Sequence, residues 1–146
     1  MKKRIMIVGP ENNENSQLVS LFEKTVKKQE IGNIVYWDKT IQVPSSYMRS
    51  PSMLKHLIAT QQKASCILMM LNAKHENKSR VYPPNLAKSF RIPRIGVISV
   101  QTKSDDADLT YQTHCQEELL NAGVDDIFLI DFENEMSCQT LLEKIK

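Results

Sequence analysis

The sequence predicts one three-layer α/β domain, a mostly parallel sheet with helices on both faces. Three observations carry that expectation. Short apolar runs rich in β-branched residues alternate with helical patterns along the chain, the order that builds parallel strands joined by crossover helices. The run Cys66-Ile67-Leu68-Met69-Met70-Leu71 is apolar at every position, as a strand covered on both faces must be. Gly9 follows directly on Ile5-Met6-Ile7-Val8 and precedes an amphipathic stretch, which places a strand-to-helix turn there.

The elements follow in order. Residues 3–8 are the first strand, and residues 17–28 the first helix, with Leu18, Leu21, Phe22 and Val26 on one stripe. Residues 33–37 and 40–43 read as two short strands joined by a turn at Asp38-Lys39. Residues 52–62 supply a helix through Met53, Leu54, Leu57 and Ile58, and residues 65–71 are the central strand. A polar loop over 72–80 leads to Tyr82-Pro83-Pro84, which opens a short helical turn ending near Phe90. Residues 93–100 are another buried strand. A helix over 107–122 is closed by Gly123, a suitable C-cap. Residues 127–130 are the last strand, and Ser137 caps a final helix carrying Leu141, Leu142 and Ile145. The expected sheet therefore has six strands, in a single domain spanning 1–146.

Composition narrows the function classes. A chain of 146 residues, 41% hydrophobic, has room for one well-buried core and not for two ordinary domains. Its 19 basic and 17 acidic residues leave a net charge of +2, too balanced for bulk attraction to nucleic acid or a membrane. The basic clusters, Lys2-Lys3-Arg4 and residues 24–28, fall on a strand start and a solvated helix face. The longest strongly apolar run is far short of the ~20 residues that cross a bilayer. Met1-Lys2-Lys3-Arg4-Ile5 enters a strand without an apolar secretion segment, so a cytoplasmic location is expected. Cys66, Cys115 and Cys138 are odd in number and widely spaced, which fits reduced thiols better than a disulfide framework or a zinc site. His56, His75 and His114 lack metal-ligand spacing, and Cys115 beside His114 points to a different face of its helix.

The informative segment is Gly9-Pro10-Glu11-Asn12-Asn13-Glu14-Asn15-Ser16. It stands where a phosphate-binding loop would stand. Aligned to G-x-x-x-x-G-K-[ST], it keeps the first glycine as Gly9 and the hydroxyl as Ser16, but Glu14 replaces the second glycine and Asn15 the lysine. Such loops aim backbone N–H groups at phosphates and neutralise them with the lysine. Glu11 and Glu14 reverse that sign, and at ~5 Å and an effective dielectric of ~20 each like-charge pair costs roughly 3 kcal/mol. The plainer reading is an ordinary turn with Asn13 or Asn15 as helix cap. Further on, Thr102-Lys103-Ser104-Asp105 fits [NT]-K-x-D, a pattern in which the aspartate binds guanine and the lysine stem lies along the base. It is also a plausible polar loop with a cap at Asp105 or Asp106.

Across nearly its whole length the chain resembles the EutP/PduV family, Ras-like P-loop proteins associated with ethanolamine- and propanediol-utilization microcompartments of bacteria. The resemblance rests on Arg4-Ile5-Met6-Ile7-Val8-Gly9-Pro10, on Ile41-Gln42-Val43-Pro44-Ser45-Ser46-Tyr47 and on Tyr82-Pro83-Pro84-Asn85-Leu86-Ala87-Lys88-Ser89-Phe90. It continues through Pro93-Arg94-Ile95-Gly96-Val97-Ile98 and Ala122-Gly123-Val124-Asp125-Asp126-Ile127-Phe128. It implies a Ras-like P-loop NTPase fold, with nucleotide contacts at Gly9, Ser16, Thr102, Lys103 and Asp105.

The departures shape the functional expectation. Gln42 replaces the aspartate that supports Mg²⁺, and Ser45 the glycine whose N–H meets the γ-phosphate. Asp131-Phe132 replaces the small residues that the family pattern puts beside the guanine oxygen. Only Thr102-Lys103-x-Asp105 is intact. Phosphoryl transfer depends on positioning and charge neutralisation, so the resemblance with these departures implies a pseudo-GTPase with no catalytic residue and no metal ligand. No cofactor is expected, with room only for weak GTP, GDP or ATP binding. The implied partner is a protein, from the microcompartment shell or the catabolic enzymes, and neither nucleic acid nor membrane. Its expected contact surface is formed by Tyr47 and Met48 with the helix over 52–62 and the loop over 72–84, Met48 and Met53 being read as exposed. The alternative is a working nucleotide-binding enzyme with an atypical loop.

Overall fold

A computed structural model describes residues 4–23, 29–31, 33–48, 51–73, 81–100 and 106–145. Its strands are β1 (Arg4–Val8), β2 (Gln29–Ile31), β3 (Ile34–Tyr36), β4 (Thr40–Gln42), β5 (Ala64–Asn72), β6 (Arg94–Ser99) and β7 (Asp126–Ile130). The helices are α1 (Asn12–Phe22), α2 (Pro51–Thr60), α3 (Asp106–Ala122) and α4 (Glu135–Ile145). The sheet order is β2-β3-β4-β1-β5-β6-β7. The pairs among β4, β1, β5, β6 and β7 are parallel, while β2-β3 and β3-β4 are antiparallel. All six expected strands are present, and the three-residue β2 adds a seventh at one edge. It is too short to leave a periodic signal.

Alternation along the strands divides the core into two layers. On one face Met6, Val8, Ile67, Met69 and Leu71 pack with Leu57 of α2 and Leu119 of α3. On the other, Ile7, Leu68, Met70 and Val97 pack with Leu18, Val19 and Phe22 of α1 and Leu141 of α4. The continuous apolar run of β5 thus feeds both layers. Gly96 lets α3 approach, because a Cβ there would lie 2.7 Å from Leu119 Cδ1.

Capping sets the helix ends. Gly123, at φ +100°, closes α3 as expected. Its N–H bonds Leu120 O at 3.1 Å while Val124 N–H reaches back to Leu119 O at 3.3 Å, the paired bonds of a Schellman motif. At α4 the cap is Asn134, whose Oδ1 accepts the N–H groups of Met136 and Ser137. The Ser137 hydroxyl instead donates back to Asn134 O and Asp131 O, so the expected cap lies three residues inside the true one.

The first helix departs most from expectation. It runs from Asn12 to Phe22 rather than over 17–28, and Glu23 already has extended backbone; residues 24–28 lie outside the described residues. Its N-cap position is Glu11, not Asn13 or Asn15. Glutamate at position 14 removes the penalty of about 1 kcal/mol that glycine carries in a helix, and an acidic group in the first turn suits the helix dipole.

Candidate functional site

Pairing of β1 with β4 assembles the site. Ile7 is in register with Gln42, and Val43 N–H donates to Ile7 O at 3.1 Å. The segment after β4 therefore passes beside the turn after β1, bringing Gly9, Asn12, Asn15 and Ser16 together with Gln42 and Ser45.

That turn is short. Only Gly9-Pro10-Glu11 separates β1 from α1, because residues 12–15 are already wound and Asn15 N–H bonds Glu11 O at 3.0 Å. Asn15 is fully buried, with Nδ2 donating to Gly9 O at 3.1 Å. Its Oδ1 is buried with no hydrogen-bond partner. A Cβ on Gly9 would lie 2.5 Å from that oxygen and 2.9 Å from Met70 Cβ, so glycine is required here by packing.

Ser16 and Gln42 meet directly. Gln42 Nε2 donates to Ser16 Oγ at 2.9 Å, and Trp37 Nε1 donates to Gln42 Oε1 at 3.1 Å. The indole N–H can only donate, so it fixes the amide with its NH₂ end toward Ser16. A hard cation needs oxygen ligands at that point, and the side chain presents a donor. One turn earlier, Asn12 Oδ1 accepts the Ser45 N–H at 2.8 Å. These residues do not fit a Mg²⁺-triphosphate: the position of the neutralising lysine holds a buried amide with an orphaned acceptor, and the position of the metal-supporting carboxylate holds an amide donor.

Beneath the turn, the buried Tyr82 hydroxyl donates to Met70 O at 2.7 Å. Burial pushes the Tyr82 phenol well above its ordinary range, so it stays protonated. Glu118 Oε2 accepts the N–H groups of Val81 and Tyr82 at 2.9 and 3.0 Å, anchoring that segment on α3.

Thr102, Lys103 and Asp105 lie outside the described residues, as do His75 and residues 74–80. Asp131 is buried, and its Oδ1 accepts Glu133 N–H at 2.9 Å in the turn before α4, while Phe132 packs against the α1–α4 layer. Tyr47 and Met48 are 7% and 8% exposed, which corrects their expected place on a contact surface. They follow Pro44 in a 3-10 turn, Ser45–Met48, that directs both side chains into the core. Burial raises the Cys66 and Cys138 thiols, and burial with nearby Glu118 and Glu14 pushes Cys115 up to about 11. His114 is exposed while Cys115 Sγ lies 3.9 Å from Asn72 O, so the two form no dyad. Among the described residues no group of three or more His, Cys, Asp or Glu is placed to hold a metal, and no helix is long and apolar enough to cross a membrane.

Asn12 and Trp37 were not legible as site residues. Asn12 looks like any polar residue of a turn, and the single tryptophan looks like the end of a strand.

The family model for PduV-EutP, described as ethanolamine utilisation and propanediol utilisation, matches residues 2–146. The chain belongs to the PduV-EutP family. A propanediol utilization protein, PduV of Citrobacter freundii, is 27% identical, with 94% of this chain and 99% of that protein covered. Among solved structures, this family member is similar to elongation factor SelB of Methanococcus maripaludis with a GTP analogue, at TM-score 0.62 and 14% identity, over 99% of this chain and 34% of that one. It is also similar to Era of Aquifex aeolicus bound to GDP and aluminium fluoride, at TM-score 0.56 and 18% identity, over 99% of this chain and 56% of that one. The chain thus spans about a third to a half of those GTPases. At such identities the likeness establishes the fold: a Ras-like P-loop α/β domain.

Proposed function

We propose that this PduV-EutP protein is a pseudo-GTPase, a nucleotide-independent binding or assembly module serving propanediol or ethanolamine utilization. The observation that carries the reading is the winding of residues 12–15 into α1, with Asn15 buried against Gly9. A phosphate cradle keeps those backbone N–H groups open to the ligand; here the Asn15 N–H is committed to the helix. Three substitutions in two separate segments, Glu14, Asn15 and Gln42, act in the same direction.

The partner in this reading is a protein of the microcompartment shell or of the catabolic enzymes, met in the cytoplasm or at the compartment. With Tyr47 and Met48 in the core, the contact falls to the exposed face of α2, where Lys55, His56 and the 40%-exposed Ile58 stand. The rival reading, a working nucleotide-binding enzyme, draws on the intact Thr102-Lys103-Ser104-Asp105 sequence.

Calorimetry with GTP, GDP and ATP at millimolar Mg²⁺ separates the two. The module reading expects no dissociation constant below roughly 100 μM; low-micromolar binding with turnover would establish the enzyme. A pull-down from cells grown on propanediol or ethanolamine, wild type against Ile58→Glu, tests the partner. Recovery of a shell or catabolic protein by wild type alone supports the surface, and equal recovery by the variant removes it.

A further inference from the structure

We infer that Asn12 is a built-in ligand for the segment after β4, holding it in one conformation without any nucleotide. The geometry begins with Pro44. Val43 N–H still pairs with Ile7 O at 3.1 Å, and proline donates nothing, so Ser45 carries the first backbone N–H beyond the sheet. It points at α1, where Asn12 Oδ1 accepts it at 2.8 Å across 33 residues of sequence. Because a backbone N–H can only donate, the carboxamide must turn its oxygen toward Ser45. In GTPases a segment of this kind is ordered by γ-phosphate and Mg²⁺ contacts and released on hydrolysis. Here the acceptor belongs to the chain and cannot leave.

Neighbouring contacts act in the same sense. The Trp37–Gln42–Ser16 chain ties the end of β4 to α1 at 3.1 and 2.9 Å, and Tyr47 and Met48 seat the following turn in the core. The latch deepens the proposed nucleotide-independent function and rests on it. It makes the surface that continues into α2 a permanent feature.

Hydrogen exchange read amide by amide by NMR tests the latch on the full chain. The Ser45 amide is expected to be protected in wild type, to exchange about tenfold faster in Asn12→Ala, and to stay protected in Asn12→Asp, which keeps an acceptor at the same place. Amides of β1 and β5 serve as the control for global stability. Unchanged Ser45 exchange in Asn12→Ala overturns the latch while leaving the absence of nucleotide binding intact. Slower Ser45 exchange on adding millimolar Mg²⁺-GTP overturns the nucleotide-independent reading itself.

Discussion

Gln42 Nε2 donates to Ser16 Oγ at 2.9 Å, so the two positions that share a Mg²⁺ ion in a hydrolytic P-loop site share a hydrogen bond in this protein. Trp37 enforces the arrangement by occupying Gln42 Oε1. An aspartate at position 42 could accept from Trp37 and from the Ser16 hydroxyl alike, and it would offer a cation carboxylate oxygen where the amide offers a donor.

Restoring the loop is therefore expected to raise affinity before it produces turnover. The variant Glu14→Gly/Asn15→Lys/Gln42→Asp removes a negative charge from the first turn, adds a positive one and restores a carboxylate. Calorimetry with Mg²⁺-GTP at low salt should register a gain of about tenfold or more that shrinks as salt is raised. Ser45 and Asp131-Phe132 still depart from the family pattern, so hydrolysis should stay at background. A variant that binds no better than wild type would mean that this turn is not a decayed phosphate site.

Gly9→Ala is expected to destabilise the fold by about 1–3 kcal/mol, since the new methyl overpacks the turn. Its Cβ meets Asn15 Oδ1 at 2.5 Å and Met70 Cβ at 2.9 Å. The double variant Gly9→Ala/Asn15→Ala should recover part of the loss, because the closer of these contacts is gone. Urea unfolding of the four proteins in the cycle measures the coupling; strict additivity would contradict the packing described.

Arg94 and Asp125 form a two-point pair at the start of β6, Nη2 to Oδ1 at 2.7 Å and Nε to Oδ2 at 3.3 Å. Hydrogen bonds from the Arg94 side chain and backbone hold the Asp125 carboxyl below its ordinary value. A lowered folded-state value stabilises above the unfolded-state pKa and is lost as pH falls through the folded one. The Asp125 side chain is 49% exposed, so screening limits the effect to about 0.5–1 kcal/mol. Asp125→Asn should show that deficit at pH 5–8 and converge on wild type below about pH 4; a deficit that persists undiminished at low pH would contradict the charge argument.

The three thiols should be slow toward iodoacetamide at pH 8 in the folded protein. With Cys115 pushed up to about 11, its thiolate fraction is roughly a hundredfold below that of an ordinary cysteine. Mass spectrometry with and without urea checks this. Rapid alkylation of folded Cys115 would show that its packing from α3 onto the end of β5 is wrong.

The sequence by itself determined the layered fold, because strand and helix periodicities and two-sided burial are local patterns. Cys66 to Leu71 announces a central strand whatever its neighbours are, and Gly123 announces a helix end because few other residues accept its backbone angle. It also showed that Glu14 and Asn15 in the first loop and Gln42 in the later segment depart from the motif residues, since each can be compared one position at a time. Tertiary structure decided what those residues contact. The contacts Asn12–Ser45 and Ser16–Gln42 join segments 33 and 26 residues apart, and they exist only because β1 and β4 pair in one register. Burial of Tyr47 and Met48 was likewise settled by where the turn after Pro44 points, and no periodic signal spans a four-residue turn.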